Sequence, residues 1–477
     1  MRVQWDEGAA HLSLRCREPG LSDFESTFRS SVDSASPGVG GGAPAPFPRL
    51  DGELHAGDLS LGDVARRFGT PVYVYDARRI RSNFLSFRET LAPLDPLLAY
   101  SVKANGNLAV LSLLARLGAG ADVTSGGELI RALRAGIPSR KIVFAGVGKT
   151  AEEMEVALHE GIKAFHVESR GEMELLEQVA RRSGSRAPLA IRLNPGVMAT
   201  TPHEYTRTGH HGTKFGVPSA EALELYRHAA ESEWLEPVGV DAHIGSQIAD
   251  PTPYFEAFGV LLELADQLLA EGLELEYLDL GGGFAPGHDG EPGFPLAELA
   301  HGVVPALQER NLQLVLEPGR SVVGDAGMLV TQVLYVKEQG EKTFVVTDAG
   351  MNDLLRPSHY GGFHRIEPVT LRPERPESAV DVVGPVCESG DFLARDRRLA
   401  LPEPGELLAI GIAGAYGFTM ASNYNGRPRP AEVLVDGHRD HLVREREGWE
   451  DLLRGERIPE DIADSAPGHA QDPPGTG

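Results

Sequence analysis

Through the middle of the chain, short apolar or β-branched runs alternate with longer stretches whose Leu and Ala recur at helical spacing, the texture of a parallel α/β fold. Eight such runs follow a helix-like segment that starts near Ala77: Leu97–Val102, Ala121–Thr124, Ile142–Ala145, Ala164–Val167, Leu189–Leu193, Val238–His243, Tyr277–Leu280 and Gln313–Glu317. Eight strand–helix units over about 250 residues match a (β/α)8 TIM-type barrel, in which catalytic groups emerge just past the strand ends. A doubly wound sheet is the competing arrangement. Beyond Met328 the helical spacing stops. Runs such as Met328–Val336, Thr343–Thr347, Val380–Val383, Glu406–Ile412 and Ala431–Val435, separated by Gly, Pro, Asp and Asn turns, predict a second, mainly β domain. An isolated strand-like run, Pro71–Tyr75, precedes the barrel and is a candidate partner for that later sheet.

This pattern divides the chain into a disordered extension (1–46), a segment contributing to the β domain (47–77), the barrel (78–326), the β domain (327–460) and a disordered tail (461–477). The extension mixes acidic residues with arginines, ends in a Ser/Gly/Pro-rich stretch and has no apolar core of a signal peptide. No apolar run approaches the roughly 20 residues needed to cross a bilayer. With 69 acidic and 45 basic side chains, the formal charge of −24 would repel a phosphate backbone, so neither membrane nor nucleic acid is an expected partner. The two cysteines, Cys16 and Cys387, are too few for a disulfide framework, which suits the reducing cytoplasm.

Candidate chemistry gathers at the predicted strand ends. Lys103, in Tyr100-Ser-Val-Lys-Ala-Asn105, stands one residue beyond the first run. Alone it reads as a solvent-facing loop lysine, but partial burial there would favour a neutral amine able to attack an aldehyde. Gly281-Gly282-Gly283 follows the seventh run, and Glu317-Pro318-Gly319-Arg320 follows the eighth. Those two loops form the usual phosphate site of this barrel, with glycine exposing backbone N–H groups and arginine supplying charge. His243, with Ser246 close by, ends the sixth run. It is either a structural histidine or a face for a flat aromatic cofactor whose phosphate the serine binds. Glu317 is either a surface carboxylate or the group that holds a pyridine nitrogen protonated.

Tyr-Ser-Val-Lys-Ala-Asn, His243-Ile-Gly-Ser-Gln247, the glycine triplet and Glu317-Pro-Gly-Arg together resemble the fold-type III, alanine-racemase-like, pyridoxal-phosphate decarboxylases. Within that group, four further segments resemble the diaminopimelate decarboxylases: His203 to Gly209 running on to Lys214-Phe-Gly216, Cys387-Glu-Ser-Gly-Asp391, Gly414-Ala-Tyr-Gly417, and Ala421 to Pro430. The resemblance spans roughly Leu54 to Trp449. It implies pyridoxal 5'-phosphate as cofactor, bonded to Lys103, with His243 on its ring, Glu317 at its nitrogen, and Ser246, Gly281, Gly282, Gly283, Gly319 and Arg320 around its phosphate. It implies that Arg320, Arg356 and Tyr360 hold the substrate and that Tyr416 touches both cofactor and substrate. Cys387 as proton donor and Glu388 as the grip on a distal ammonium would come from the partner subunit of a homodimer. The implied reaction is decarboxylation of meso-2,6-diaminopimelate to L-lysine and CO2, the last step of that route to lysine. Arg356 and Glu388 suit a substrate with an amino-acid group at each end, one cation for its carboxylate and one anion for its ammonium.

Competing readings are a decarboxylase of ornithine, arginine or a carboxylated polyamine such as carboxynorspermidine, an amino-acid racemase, or a catalytically silent relative that binds the cofactor. A distal arginine argues against the simple diamine precursors. No metal is expected: His210 and His211 are adjacent, but no carboxylate or cysteine joins them at ligand spacing.

Overall fold

All eight predicted runs form parallel strands that neighbour one another in sequence order, and the eighth closes on the first through the pairs Val315–Leu97 and Leu316–Leu98. The barrel strands are Leu97–Ser101, Gly120–Val123, Ile142–Phe144, Ala164–Val167, Ala187–Leu193, Leu235–Ala242, Tyr277–Asp279 and Gln313–Leu316. This computed structural model describes residues 47–203, 208–209, 212–287 and 293–463. The expected extension 1–46, the tail from 464, His210 and His211, and 204–207 of the His203 motif lie outside the described residues.

The helices begin where short polar side chains cap them. Asn107, Ser125, Thr150 and Ser169 each accept a hydrogen bond from a first-turn N–H, and Thr150 completes a reciprocal capping box with Glu153. Each cap contributes about 1 kcal/mol. Apolar faces such as Val110, Leu111 and Leu114 of the helix Leu108–Arg116 then pack onto the barrel wall.

Inside the barrel, the period of two along each strand sorts residues into layers. Leu97, Ala99, Val143, Ala164, Ala190, Tyr277 and Val315 form a separate apolar cluster. Two residues further along several of these strands the same-facing positions are polar: Ser101, His166, Arg192, Asp279 and Glu317, joined by Asp122 and Asp241, all buried. A charged layer therefore lies directly beneath the mouth.

Beyond the barrel the chain builds a nine-stranded sheet, which Val72–Asp76 joins from ahead of the barrel. Its centre is Gly327–Gln339, which pairs antiparallel with Val72–Asp76, Lys342–Thr347 and Leu407–Ile410. Val72–Asp76, the strand-like run ahead of the barrel, also pairs parallel with Ala431–Asp436. The two ends of the main strand order, Phe392–Ala400 and Arg439–Arg444, escaped the sequence reading. Both carry several charged side chains, as edge strands do to discourage pairing with other chains.

Sheet and barrel are joined around the Lys103 segment. Buried Glu432, on Ala431–Asp436, accepts from the Tyr75 hydroxyl at 2.7 Å and from Asn107 Nδ2 at 3.0 Å, and it pairs with Arg444. Asn105 Nδ2 donates to the Gly414 carbonyl at 3.0 Å, and the Tyr416 N–H donates to the Ala104 carbonyl at 2.8 Å. Glu432→Ala would strand three polar partners at this junction, and the loss of a buried pair predicts a cost of about 3 kcal/mol. Denaturant unfolding measures it; a cost below about 1 kcal/mol, the worth of an exposed pair, would show that the junction is not held there.

Candidate active site

Lys103 lies on the short turn Val102–Ala104 just past the first barrel strand, and its Nζ sits 2.6 Å from Asp122 Oδ2 on the second. Ser101 Oγ also donates to that carboxylate oxygen, at 2.8 Å. Burial by itself lowers the lysine's pKa, but Asp122 and then Glu317 more than offset it, so the amine is held as an ammonium above lysine's ordinary range. The expectation of a neutral amine is thereby corrected: at this mouth the nearby carboxylates outweigh desolvation.

Glu317 follows the eighth strand, and its Oε1 is buried without a hydrogen-bond partner. Burial, then Asp122, Asp279 and Asp241, push its pKa well up. The glycine triplet packs between this residue and the sixth strand end. A Cβ on Gly282 would lie 2.1 Å from the Glu317 carbonyl, and one on Gly283 would lie 2.1 Å from the Gly245 carbonyl. Only glycine permits that approach, which draws the 281–283 turn against both His243–Ser246 and Glu317. Gly319 in turn abuts Ser101 and Ala104 on the lysine's own segment. His243 is half-buried, with Nδ1 3.2 Å from Thr208 Oγ1. Burial, followed by Arg192 and Lys103, lowers its pKa to about 3, so it presents a neutral flat ring.

Two guanidiniums complete the mouth. The Arg320 guanidinium lies 4.6 Å from the centre of the Tyr416 ring, and burial, then Arg356, pull its pKa down to about 9. Arg356 donates to Gln247 Oε1 at 2.9 Å and lies 5.3 Å from the Tyr360 ring, which His203 meets edge-on. Both arginines are buried, and the Nε of each lacks a hydrogen-bond partner. Tyr416 adopts φ 55°, a left-handed conformation costly for a non-glycine residue and held here by its bond to Ala104.

The structure thus gathers Lys103, His243, Ser246, Gly281–Gly283, Glu317, Gly319, Arg320, Arg356, Tyr360 and Tyr416 at one barrel mouth. Cys387 and Glu388 are exposed instead, on a turn whose contacts run to Asn425 and Tyr424. Sequence reasoning missed the polar layer below the mouth: Asp122, His166, Arg192, Asp241 and Asp279. The signal was present, since each is a charged or ionisable residue inside an otherwise apolar strand run. His166, Asp241, Asp279 and Glu317 offer ligand atoms within 4.8 Å of one another, a cluster not anticipated when only His210 and His211 were weighed for metal.

Comparison with known proteins gives this arrangement its class. A family described as "Pyridoxal-dependent decarboxylase, pyridoxal binding domain" matches residues 77–324, which run from the helix before the barrel to the turn that carries Arg320. Barrel and mouth together are therefore those of a pyridoxal-dependent decarboxylase. The diaminopimelate decarboxylase of Pseudomonas aeruginosa is 47% identical over 414 residues, covering 86% of this chain and 99% of the relative. The Helicobacter pylori diaminopimelate decarboxylase, solved in complex with L-lysine, superposes with a TM-score of 0.79 at 44% identity, covering 82% of this chain and 98% of that one. The M. jannaschii enzyme, also solved with L-lysine, gives a TM-score of 0.82 at 36% identity over 87% and 98% of the two chains. The chain belongs to the diaminopimelate decarboxylase family.

The residues present fit the cofactor of that class. Glu317, just past the eighth strand, is a buried carboxylate with an unpartnered oxygen, the kind of acceptor a ring nitrogen needs, and glycine turns and an amine stand around it. The Lys103–Asp122 pair yields a test. Asp122→Asn removes the partner that holds the proton, so burial then lowers the lysine. Capture of pyridoxal phosphate by the cofactor-free protein at neutral pH, followed by absorbance, should quicken by about tenfold for each pH unit the lysine falls. An unchanged rate would show that Asp122 does not govern the amine.

Proposed function

We propose that this protein decarboxylates meso-2,6-diaminopimelate to L-lysine and CO2, the last step of that route to lysine, with pyridoxal 5'-phosphate as its cofactor. The observation that carries the reading is the pair of buried guanidiniums, Arg320 and Arg356, each with an unpartnered Nε, at the mouth that holds Lys103. Two adjacent buried cations destabilise each other unless an anion is supplied. A substrate with two carboxylates loses one and leaves the other to satisfy them. Ornithine and arginine have no distal carboxylate, so they would leave Arg356 without its anion, while Arg320 still has the phosphate.

When bound, the cofactor supplies an aldehyde that bonds to amines and a protonated ring that accepts the electron pair of the departing carboxylate's bond. Lys103 is the amine that holds it. Glu317 accepts a hydrogen bond from the ring nitrogen and keeps it protonated. His243 lies against the ring as a neutral imidazole. Ser246, the 281–283 turn, Gly319 and Arg320 surround the phosphate with donors. Arg356, Arg320 and Tyr360 grip the retained carboxylate, and Tyr416 positions both substrate and cofactor.

Cys387 and Glu388 act on a second copy of the chain in a homodimer, the thiol donating a proton to carbon in place of the lost carboxylate and Glu388 holding the distal ammonium. Their exposure in the single chain supports this division, because both would otherwise stand without a substrate. The reading places the enzyme in the cytoplasm, where Cys387 stays a free thiol. No helix among the described residues is long and apolar enough to cross a membrane.

The test is product analysis after incubation of the protein and pyridoxal phosphate with meso-diaminopimelate, ornithine or arginine in parallel. Lysine and CO2 should form from the first at a kcat/KM at least about 1,000-fold above the others, the discrimination expected when a substrate lacks a charged group its site was built to pair. Comparable turnover of ornithine would overturn the assignment. Mixing a Lys103→Ala chain with a Cys387→Ala chain, each inactive alone, should restore about a quarter of wild-type activity through one intact composite site. No recovery despite demonstrated subunit exchange would exclude a shared site.

A further inference from the structure

We propose that Asn425 and Tyr424 are positioning residues for the active site of the second copy: from one exposed turn they set the direction in which Cys387 and Glu388 are presented. This rests on the reading that Cys387 and Glu388 act on that second copy. Residues 421–430 carry part of the family resemblance but contribute no side chain to the groups gathered at the mouth. Within them lies the short turn Tyr424–Gly426, where Asn425 has φ 59° and ψ 25° and Gly426 follows at φ 65°. Two successive left-handed residues make a tight Asn-Gly turn, which explains the asparagine's backbone but not the course of its side chain. A turn asparagine ordinarily bonds to its own backbone two residues on. Here Oδ1 accepts instead from the Cys387 N–H, 38 residues away in sequence, at 2.8 Å. Beside it the Tyr424 hydroxyl is hydrogen-bonded to the Glu388 carboxylate, a charge-assisted contact that raises the phenol's pKa.

The feet of the Cys387 turn are fixed from the sheet. Buried Asp391 accepts from the N–H groups of Val386 and Met351, both at 2.6 Å, and its own N–H donates to the Glu388 carbonyl at 3.1 Å. Between these feet Cys387, Glu388 and Ser389 are exposed. Among the described residues, the side chains bonded to that tip are those of Asn425 and Tyr424. The bracing turn is itself held: Asn423 Nδ2 donates to Glu447 Oε2 at 2.6 Å and to the Arg427 carbonyl at 3.0 Å, and Arg429 pairs with Glu447. An unbraced tip would have to be ordered at the moment it meets the other copy's substrate, whereas one bonded in advance presents thiol and carboxylate at a set spacing. The two braces act on different groups. Asn425 holds the backbone of the residue that gives the proton, so its loss slows turnover. Tyr424 orients the carboxylate that grips the distal ammonium, so its loss weakens substrate binding.

The test places each substitution on one chain of the mixed dimer of Lys103→Ala and Cys387→Ala chains, whose one working site joins Cys387 of the former to Lys103 of the latter. Asn425→Gly removes Oδ1 and puts in its place a residue for which φ 59° is unstrained. Carried by the Lys103→Ala chain, it should lower the restored kcat at least about tenfold; carried by the Cys387→Ala chain, it should leave the restored activity unchanged. An equal loss on either chain, as general damage to the fold gives, or no loss on either, overturns the proposal. Tyr424→Phe is the second variant and serves if Asn425→Gly does not fold. On the Lys103→Ala chain it should raise KM for meso-diaminopimelate about tenfold, and on the other chain it should not; a KM indifferent to the chain that carries it overturns the proposal. The parent mixture separates the two readings. No recovery there despite subunit exchange removes the shared site and this inference with it, whereas recovery that is indifferent to the placement of Asn425→Gly removes only the positioning role.

Discussion

A lysine ammonium survives at the mouth of an apolar barrel because Asp122 stands 2.6 Å away on the next strand. Burial alone would pull the amine's pKa down, and Asp122 is the largest charge opposing it; in return the carboxylate is held below its ordinary pKa even though burial alone would raise it. The pair is the upper rim of a charged layer in which Glu317, His166, Asp241 and Asp279 follow around the barrel interior. Each buried charge there is tolerable only through its neighbours. The layer's position comes from strand periodicity: the same alternation that fills the barrel floor with Ala99, Ala164, Ala190 and Val315 places Ser101, His166, Arg192 and Glu317 one step higher.

The β domain turns this layer into a site. Its Gly414–Tyr416 segment touches the barrel at two places, and a Cβ on Gly414 would come within 1.9 Å of the Val323 carbonyl. That close approach fixes the short helix Arg320–Val323, while the Tyr416 N–H holds the carbonyl of Ala104 beside Lys103. Arg320 and the Lys103 amine are thereby held by one loop from outside the barrel. Arg356, from the β domain, reaches back to Gln247, next to the serine expected at the phosphate. Arg356 and the loop of His243 to Gln247 are mechanically continuous, which suits the proposed reaction, whose geometry must be set at both ends of the substrate.

Much of this was legible in the sequence because burial on both faces makes barrel strands nearly continuous apolar runs bounded by glycine. All eight were found, displaced at their ends by three residues or fewer. Among the strands that went unseen, Arg49–Leu50, Glu53–Ala56, Leu59–Ser60 and Ile366–Pro368 are only two to four residues long, while Phe392–Ala400 and Arg439–Arg444 lie at the ends of the main strand order, where in the first Arg395, Asp396, Arg397 and Arg398 interrupt any apolar alternation. At the site, residues in glycine-rich loop motifs could be picked out individually. Asp122, His166, Asp241 and Asp279 sit inside strands, and their significance appears only when period-two positions are compared across all eight. The charge state of Lys103 was misjudged for the same reason: its partner is distant in sequence and adjacent only once the barrel closes.

The central claim is that the Lys103 amine, poised over the charged layer, is the group that bonds to pyridoxal phosphate. Borohydride reduction of the cofactor-loaded protein, followed by proteolysis and mass spectrometry, reads that bond directly. A single reduced phosphopyridoxyl group on Lys103 is the predicted result. Stoichiometric labelling of another lysine, such as Lys149 or Lys214, with Lys103 unmodified would contradict the account.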